Sequence, residues 1–275
     1  MKQMMKAIGF KKYLPITAEE SLIEFEVAKP IAKGHDLLVK VEAVSVNPVD
    51  VGVRKASHRI LKEPKIIGWD AVGVVESVGE NVTLFRKGEH VFYAGAFKRS
   101  GSNSEYQIVD EKIVGHAPKK LTIGQAAAMP LTSLTAWEAL FEQLEIDPND
   151  KKNNEKQTIL IINGAGGVGS IATQLANWAG LNVIATASRP ETIEWVRKFG
   201  ADEVVNHRQD LVQEVRKLGY RYVDYILELN DLDGHWDEMA EIIKPSGKIA
   251  SITENKHPVD LRKLTKKRAK FAWEW

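Results

Sequence analysis

Residues 158–169 of the chain read TILIINGAGGVG, and residues 170–176 continue SIATQLA. The first five residues are aliphatic or β-branched and predict a buried strand, whereas the continuation has the spacing of an amphipathic helix. Between the two, Gly164, Gly166 and Gly169 show the G-x-G-x-x-G spacing of a dinucleotide-binding loop. Because strand, turn and helix follow in the order that this motif requires, we interpret the stretch as a nucleotide site and not as an unliganded glycine-rich turn.

Each glycine of the loop has its own task in such a site. The first permits a tight turn, the second lets the backbone approach a pyrophosphate, and the third allows the helix to pack closely on the strand. The phosphates would lie at the helix N-terminus, where unpaired N–H groups and the helix dipole attract anions. We therefore predict that the phosphate-binding part of a cofactor site is formed by Gly164, Gly166, Gly167, Val168 and Gly169.

The segments around this loop alternate between apolar strands and helical periodicity, which indicates a parallel sheet covered on both faces. We predict strands at 158–162, 182–187, 203–205, 223–228 and 248–252, and helices at 168–179, 191–199, 211–218 and 234–243. The polar stretch 147–157 is interpreted as a solvated loop.

The first half of the chain has shorter β-prone segments, at 37–44, 71–79 and 89–93, which are punctuated by glycine. Such short strands suggest a compact, barrel-like β domain. The periodicity then changes before the glycine loop is reached. We therefore divide the chain into a β-rich domain, residues 1–125, and a nucleotide-binding α/β domain, residues 126–275.

The residues after the second predicted strand indicate which dinucleotide binds. A site for NAD usually has Asp or Glu there to bind the ribose 2′-hydroxyl, but this chain has Ser188 and Arg189. A hydroxyl and a guanidinium suit a 2′-phosphate, and His207 after the third strand can close the same pocket. We predict NADPH as the cofactor; in the alternative interpretation, Arg189 and His207 are solvated surface residues.

Asn230 and Ser251 follow the fourth and fifth strands, at the edge where ligands of open α/β sheets bind. They are either cofactor contacts or simply loop residues.

The composition excludes several classes of function. The 38 basic and 37 acidic side chains give a net charge of +1, so no overall field attracts nucleic acid or an anionic membrane. The chain has no cysteine, which excludes disulfides, thiolate nucleophiles and cysteine-ligated metal sites. The start shows no signal-peptide core, and no run approaches the roughly 18 apolar residues of a membrane-spanning helix. We expect a folded cytoplasmic protein that acts on a small molecule.

Further motifs occur in a fixed order, and together they are more specific than any one of them. They are VNPVD at 46–50, GWDAVG at 68–73, AAMPL at 127–131 and LTAW at 134–137. With these motifs and the glycine loop, the chain resembles the medium-chain dehydrogenase/reductase superfamily, and within it the quinone reductase and zeta-crystallin group. The resemblance extends over essentially the whole chain. It implies an α/β protein with a GroES-like β-rich domain followed by a Rossmann doubly wound parallel sheet.

In zinc-containing members of this superfamily, the first three motifs supply a Cys, a His and a second Cys as metal ligands. This sequence has Asn47, Trp69 and Leu131 at the matching positions. An amide, an indole and an alkyl group do not assemble a thiolate–imidazole zinc site. The resemblance therefore implies a member without a metal site, in which reversible alcohol oxidation loses its electrostatic support but reduction of an activated acceptor remains.

The same resemblance implies roles for individual side chains. Asn47 and Thr135 would approach the nicotinamide end of the cofactor, and Tyr93 would lie near the substrate cavity. Tyr93 either donates a proton or only packs. Asp50 is either an acid or the cap of a helix that begins near Val51.

Three functions remain open at this point. The first is an NADPH-dependent reductase of quinones or α,β-unsaturated carbonyls that works without zinc. The second is an alcohol or aldehyde oxidoreductase, and the third is a non-enzymatic NADPH-binding or RNA-binding protein of the zeta-crystallin kind. The basic run 262–268 could attract a polyanion, but the balanced total charge favours a solvated helix face. We therefore do not expect nucleic acid as a partner.

Relatives of this kind continue for several dozen residues beyond the position of Trp275. They add a sixth strand, which forms a homodimer interface, and a segment that returns to the first domain. The resemblance therefore implies that the parallel sheet here lacks its last strand and leaves the edge at 248–252 exposed. A homodimer is expected for the full-length family, whereas this chain is either shortened or assembled differently.

Overall fold

The computed structural model describes residues 3–275. They divide into two compact units, residues 3–131 and 132–275. The division that we predict after residue 125 falls inside a short helix, Ile123–Ala127. No helix within residues 3–275 is long and apolar enough to cross a membrane.

Residues 3–131 form two antiparallel sheets. The strands are β1 (Met4–Lys12), β2 (Ile23–Ala28), β3 (Asp36–Ser45), β4 (Ile60–Ile66), β5 (Asp70–Val78), β6 (His90–Tyr93), β7 (Tyr106–Asp110) and β8 (Gly115–His116). The helices are α1 (Pro48–Lys55) and α2 (Ile123–Ala127), with 3₁₀ turns at Glu19–Ser21 and Glu111–Ile113. The strand orders are β2-β1-β4 and β7-β3-β5-β6-β8. This arrangement confirms the predicted β-rich, GroES-like domain.

Most of the second unit is one parallel sheet with helices between its strands. The elements in chain order are α3 (Pro130–Trp137), a π-helical turn (Glu138–Gln143), α4 (Lys151–Asn154), β9 (Thr158–Ile162), α5 (Gly167–Trp178), β10 (Asn182–Thr186), α6 (Pro190–Lys198), β11 (Glu203–Val205), α7 (Leu211–Lys217), β12 (Val223–Glu228), α8 (Leu232–Ile242), β13 (Ile243–Ser251), α9 (Arg262–Thr265) and β14 (Lys270–Trp273). The order β11-β10-β9-β12-β13-β14, with every neighbouring pair parallel, is that of a doubly wound sheet. It confirms the predicted Rossmann domain.

The sheet is completed by a sixth strand, which corrects the expectation that the last strand is missing. β14 pairs in parallel with β13, from Lys248 opposite Lys270 to Ser251 opposite Trp273. Phe271 packs edge-on against Trp236 of α8, with the ring centroids 5.3 Å apart. The run KFAW is short and only partly buried, but its pairing covers the edge of β13.

The central strand β9 explains why the sheet is predictable from the sequence. All five of its residues are buried. Ile159 and Ile161 belong to the apolar cluster on one face, whereas Leu160 and Ile162 belong to the cluster on the other. Each such side chain contributes about 1.5–3 kcal/mol by burial. A strand covered on both faces therefore reads as a continuous apolar run.

The stretch 147–157 is not the open loop that we predict. It contains α4, and Asn154 at the end of that helix is buried. The Asn154 side-chain amide donates to the carbonyls of Asp147 and Ala179, each at 2.8 Å. These bonds tie a polar segment to the end of α5, which composition alone does not reveal.

Candidate functional site

The loop between β9 and α5 is held in shape by its own backbone. Asn163 adopts a positive φ of 64°, and its carbonyl accepts the N–H of Gly166 at 3.0 Å. Gly166 is the N-cap of α5 in an extended conformation. The first N–H groups of a helix have no acceptor within it. The backbone N–H groups of Gly167, Val168 and Gly169 therefore present partial positive charge at the carboxyl edge of the sheet.

The glycines of this loop fall into two kinds. A Cβ on Gly169 would lie 2.3 Å from the carbonyl oxygen of Asn163, and one on Gly164 would lie 2.8 Å from Cβ of Ala185. Both positions are therefore required by the packing of the fold itself. A Cβ on Gly166 would first meet the flexible side-chain amide of Asn163, at 2.9 Å, and its φ of −71° is open to any residue. Among the three glycines of the G-x-G-x-x-G motif, Gly166 is therefore the one that packing within the fold constrains least; the close approach of a phosphate would be a further reason for glycine there.

Thr186, at the end of β10, connects the glycine loop with the residues after β11. Its hydroxyl accepts the N–H of Asn163 at 2.8 Å and hydrogen-bonds Nδ1 of His207 at 3.0 Å. Burial lowers the pKa of His207 below its ordinary value, with smaller contributions from His235 and Arg208. The imidazole is thus held at the carboxyl edge in its neutral form near pH 7.

Ser188 and Arg189 lie between β10 and α6, at the same edge. Ser188 is half-buried and Arg189 is exposed. The Nε atom of Arg189 lies 2.9 Å from Oε1 of Glu191, and both side chains are more than half exposed. An exposed ion pair is worth at most about 1 kcal/mol. A phosphate would therefore have little to overcome in displacing Glu191.

The two remaining edge positions differ. Asn230 follows β12 and is exposed. Ser251 ends β13 and is fully buried, and its hydroxyl donates to Oε2 of Glu228 at 2.7 Å. The Ser251 side chain is thus engaged in the interior of the protein, and of the two we retain only Asn230 as a candidate cofactor contact.

In the first unit, Asp70 forms a buried polar centre. Its side chain is fully buried. Oδ2 accepts a hydrogen bond from Nδ2 of Asn47 at 2.8 Å, and Oδ1 accepts one from the backbone N–H of Leu131 at 2.8 Å. Burial raises the pKa of Asp70, although these two hydrogen bonds oppose that shift. One carboxylate therefore joins two of the three positions at which zinc-containing relatives carry ligands.

The side chains at these three positions do not fit a zinc ion. Trp69 and Leu131 pack in one apolar cluster with Phe10 and other residues of the first unit, and the indole of Trp69 stacks on Phe97 at 5.6 Å. Asn47 is the only one of the three with a side-chain oxygen, and its amide is bound to Asp70. Within residues 3–275, no group of three or more His, Asp or Glu side chains is placed to hold a metal.

The structure favours one alternative for Asp50 and one for Tyr93. Asp50 is the third residue of α1, and its carboxylate accepts the N–H of Asn47 at 2.8 Å, as in a capping box. Tyr93 is buried in the core of the first unit, and its hydroxyl has no hydrogen-bond partner among the described residues. Burial raises its pKa. The structure thus supports capping as the role of Asp50 and packing as the role of Tyr93. Thr135, the third residue in question, is half-buried on α3.

Sequence reasoning missed three side chains that organise these sites: Asp70, Thr186 and Glu228. Each stands inside a quoted motif or at a predicted strand end, but none was singled out. Asp70 and Glu228 carried a detectable signal, because a carboxylate at the end of a largely apolar strand needs hydrogen-bond donors around it when it is buried. Thr186 carried none, since threonine is ordinary in strands.

The β-rich unit, the doubly wound sheet and the glycine loop at its carboxyl edge define a nucleotide-dependent oxidoreductase. Residues 33–130 match the family model of the alcohol dehydrogenase GroES-like domain, and residues 167–272 match that of the zinc-binding dehydrogenases. The chain belongs to the medium-chain dehydrogenase/reductase superfamily, whose members bind NAD(P).

Individual relatives agree with this assignment. A zinc-type alcohol dehydrogenase-like protein of Staphylococcus epidermidis is 45% identical over 271 residues, which are 98% of this chain and 80% of that protein. The quinone oxidoreductase of Homo sapiens is 34% identical over 207 residues, 74% of this chain and 60% of the human one. Among solved structures, a candidate zinc-dependent alcohol dehydrogenase from Rhizobium etli CFN 42 superimposes with a TM-score of 0.93 at 45% identity, covering 100% of this chain and 80% of that one.

Proposed function

We propose that the protein is an NADPH-dependent reductase that transfers hydride to quinones or α,β-unsaturated carbonyls without zinc. One observation carries the proposal. The positions that would hold zinc are occupied by an amide bound to Asp70 and by the apolar pair Trp69 and Leu131, while the nucleotide loop is complete. The similarity to a human quinone oxidoreductase supports the same choice.

The second unit would bind the cofactor, which supplies the hydride when it is bound. The N-terminus of α5 holds the pyrophosphate through its first N–H groups, and Gly166 leaves the space for it. Ser188 and Arg189 bind the 2′-phosphate by charge-assisted hydrogen bonds. His207 closes that pocket from the side of β11. These residues distinguish NADPH from NADH, because the 2′-phosphate is the group that the two cofactors do not share.

The choice of acceptor follows from the electrostatics of the first unit. A simple carbonyl needs a Lewis acid or a strong donor to stabilise the alkoxide that forms when it accepts hydride. A quinone or an enone spreads the developing negative charge through its own conjugation. Asn47 and Thr135 then serve as polar groups that orient the reacting partners, and the apolar surround of Trp69 and Leu131 excludes water.

The test is NADPH oxidation by purified protein with a panel of quinones, enones, saturated aldehydes and alcohols, each with and without a chelator. We expect turnover with quinones or enones, and we expect the chelator to leave that turnover unchanged. Turnover confined to aldehydes or alcohols would replace the proposal with an alcohol or aldehyde oxidoreductase. Tight NADPH binding without turnover of any acceptor would favour a non-enzymatic binding protein.

A further inference from the structure

Glu228 is a fully buried carboxylate that receives four hydrogen bonds at the carboxyl edge of the parallel sheet. Its Oε1 atom accepts the backbone N–H groups of Asn230 and Asp231, both at 2.5 Å. Its Oε2 atom accepts the hydroxyls of Ser251 at 2.7 Å and Thr253 at 2.6 Å. A buried charge is costly unless donors surround it, and here two donors face each oxygen.

The four donors belong to two different loops. Asn230 and Asp231 form the turn between β12 and α8, whereas Ser251 is the last residue of β13 and Thr253 lies in the segment that follows it. A second carboxylate, Asp233 in the first turn of α8, accepts the N–H groups of Lys256 at 2.6 Å and His257 at 3.1 Å. The two loops are thus joined at an inner point by Glu228 and at an outer point by Asp233. Both follow strands of the sheet at the edge where nucleotides bind.

We propose that Glu228 is a positioning residue for the cofactor: it sets the relative placement of the loops after β12 and β13 and thereby the affinity of the site, without touching the cofactor itself. The inference rests on the proposed function, because it takes the carboxyl edge to be the NADPH site. It assigns the effect to geometry and not to charge. A side chain that keeps the four contacts should therefore preserve affinity even without the negative charge.

Asp224 provides a matched control on the same strand. It is the second residue of β12 and lies at the opposite, amino end of the sheet. Its Oδ2 atom accepts the N–H of Thr158 at 2.8 Å, and its other oxygen pairs with Lys244. Like Glu228, it joins neighbouring strands of the sheet through a carboxylate. Changing either residue should lower the stability of the protein, whereas only a change at Glu228 should lower the affinity for NADPH.

The experiment measures the NADPH dissociation constant by fluorescence, KM for NADPH, kcat, and the melting temperature of the full chain and four variants. In Glu228→Gln, the amide oxygen can accept both N–H groups while its NH2 donates to the two hydroxyls, which can reverse their roles. We expect at most a twofold change in affinity. Glu228→Asp keeps the charge but is one methylene shorter, so it cannot reach both loops, and the dissociation constant should rise roughly tenfold with a smaller change in kcat. Glu228→Ala should have an equal or larger effect, and Asp224→Asn should lower only the melting temperature.

Each pattern of results has one meaning. An unchanged dissociation constant in a folded Glu228→Asp or Glu228→Ala would overturn the inference, as would an equal loss in Asp224→Asn. Normal affinity in Glu228→Asp with weak binding in Glu228→Gln would overturn it too, since charge and not geometry would then matter. If Glu228→Ala does not fold, Glu228→Asp and Glu228→Gln decide between these outcomes. Wild-type protein that binds no NADPH would refute the proposed function instead.

Discussion

The guanidinium of Arg189 pairs with a carboxylate in the first turn of helix α6, and this pairing bears on what a substitution at residue 189 should do. Glu191 lies close enough to hold Arg189 when no phosphate is present. Both side chains are exposed, so their pairing is weak and readily exchanged. A phosphate bound at the same place would gain a stronger, charge-assisted partner. The residue that we propose to distinguish the two cofactors therefore lies at the edge of the candidate site.

We predict that Arg189→Glu weakens NADPH binding selectively. The substitution removes a donor and places a carboxylate beside the 2′-phosphate, and a hydrogen bond to a charged group is worth roughly 1.5–3 kcal/mol. The NADPH dissociation constant should therefore rise about tenfold or more, while that for NADH changes little. Calorimetric titration of both cofactors measures this. Glu191→Gln is the control and should bind NADPH at least as tightly as wild type; equal losses for both cofactors in Arg189→Glu would refute the assignment.

Two glycines of the loop should respond differently to substitution. Gly166→Val places methyl groups where the pyrophosphate approaches, so NADPH binding should be lost, with a stability cost of about 0.5–3 kcal/mol. Gly169→Ala instead drives a Cβ to within 2.3 Å of a carbonyl oxygen, so its main effect should be a lower melting temperature. Circular dichroism and NADPH fluorescence separate the two effects. A folded Gly166→Val that binds NADPH normally would show that the loop is not the phosphate site.

His207 should make the stability of the protein depend on pH. Its pKa in the folded protein lies below its ordinary value of 6.5, so the unfolded chain binds the proton more readily. The stability that His207 contributes is present above about pH 6.5 and is lost as the pH falls through the lower, folded-state pKa. The melting temperature of His207→Gln should therefore fall less than that of wild type over this range. The exposed His58 serves as the control, and His58→Gln should follow the wild-type profile; identical profiles for all three proteins would count against the prediction.

At the scale of elements, the end of helix α8 is held by a lysine from a distant segment. Lys267 donates from Nζ to the carbonyls of Ala240 at 2.9 Å, Glu241 at 2.5 Å and Ile243 at 2.8 Å. The last carbonyls of a helix have no partner within it, and a cation there also interacts favourably with the helix dipole. One residue of the basic run 262–268 is thus a structural cap. Arg262 and Lys263 pair with Asp260 and Asp237, so acidic side chains lie beside this run.

We predict that Lys267→Met lowers stability by about 1–3 kcal/mol, because three carbonyls lose a charged donor at once. In a domain of this size, the melting temperature should fall by several degrees. NADPH affinity should not change, because the carbonyls lie at the end of α8 that is remote from its N-terminal turn. Lys266→Met, at an exposed neighbouring position, is the control and should melt as wild type does. A Lys267→Met protein of wild-type stability would show that the cap contributes nothing.

The elements that could be predicted are those whose burial is visible in the sequence. β9 is a buried, almost entirely apolar run, and β9, β11 and β12 all have the predicted bounds. β1 could not be recognised, because its outward-facing positions include the exposed Met4 and Ile8 and so hide the alternation. β14 could not be recognised from its four residues, because they form a strand by pairing with β13. In both cases, contacts distant in sequence determine the structure.

For the molecule as a whole, the candidate cofactor residues could be located from the sequence, whereas the polar centre of the first unit could not. The glycine loop and the residues at the strand ends act through local backbone geometry, which spacing in the sequence reveals. Asp70, by contrast, is 23 residues from Asn47 and 61 from Leu131, and only the fold brings the three together. The resemblance identified the positions of Asn47, Trp69 and Leu131 but not the carboxylate that holds two of them.

The packing of the first unit leads to the prediction that activity and stability do not depend on zinc. Trp69 and Leu131 pack in an apolar cluster and the Asn47 amide is bound to Asp70, so a zinc ion would lack ligands at these three positions. Prolonged treatment with a chelator should leave both NADPH oxidation and the melting temperature unchanged, and elemental analysis should find less than one zinc per chain. Weakly held metal on surface histidines would be removed without effect. One tightly bound zinc per chain whose removal abolishes activity, and which Asn47→Ala no longer retains, would show that a metal centre had been overlooked at these positions.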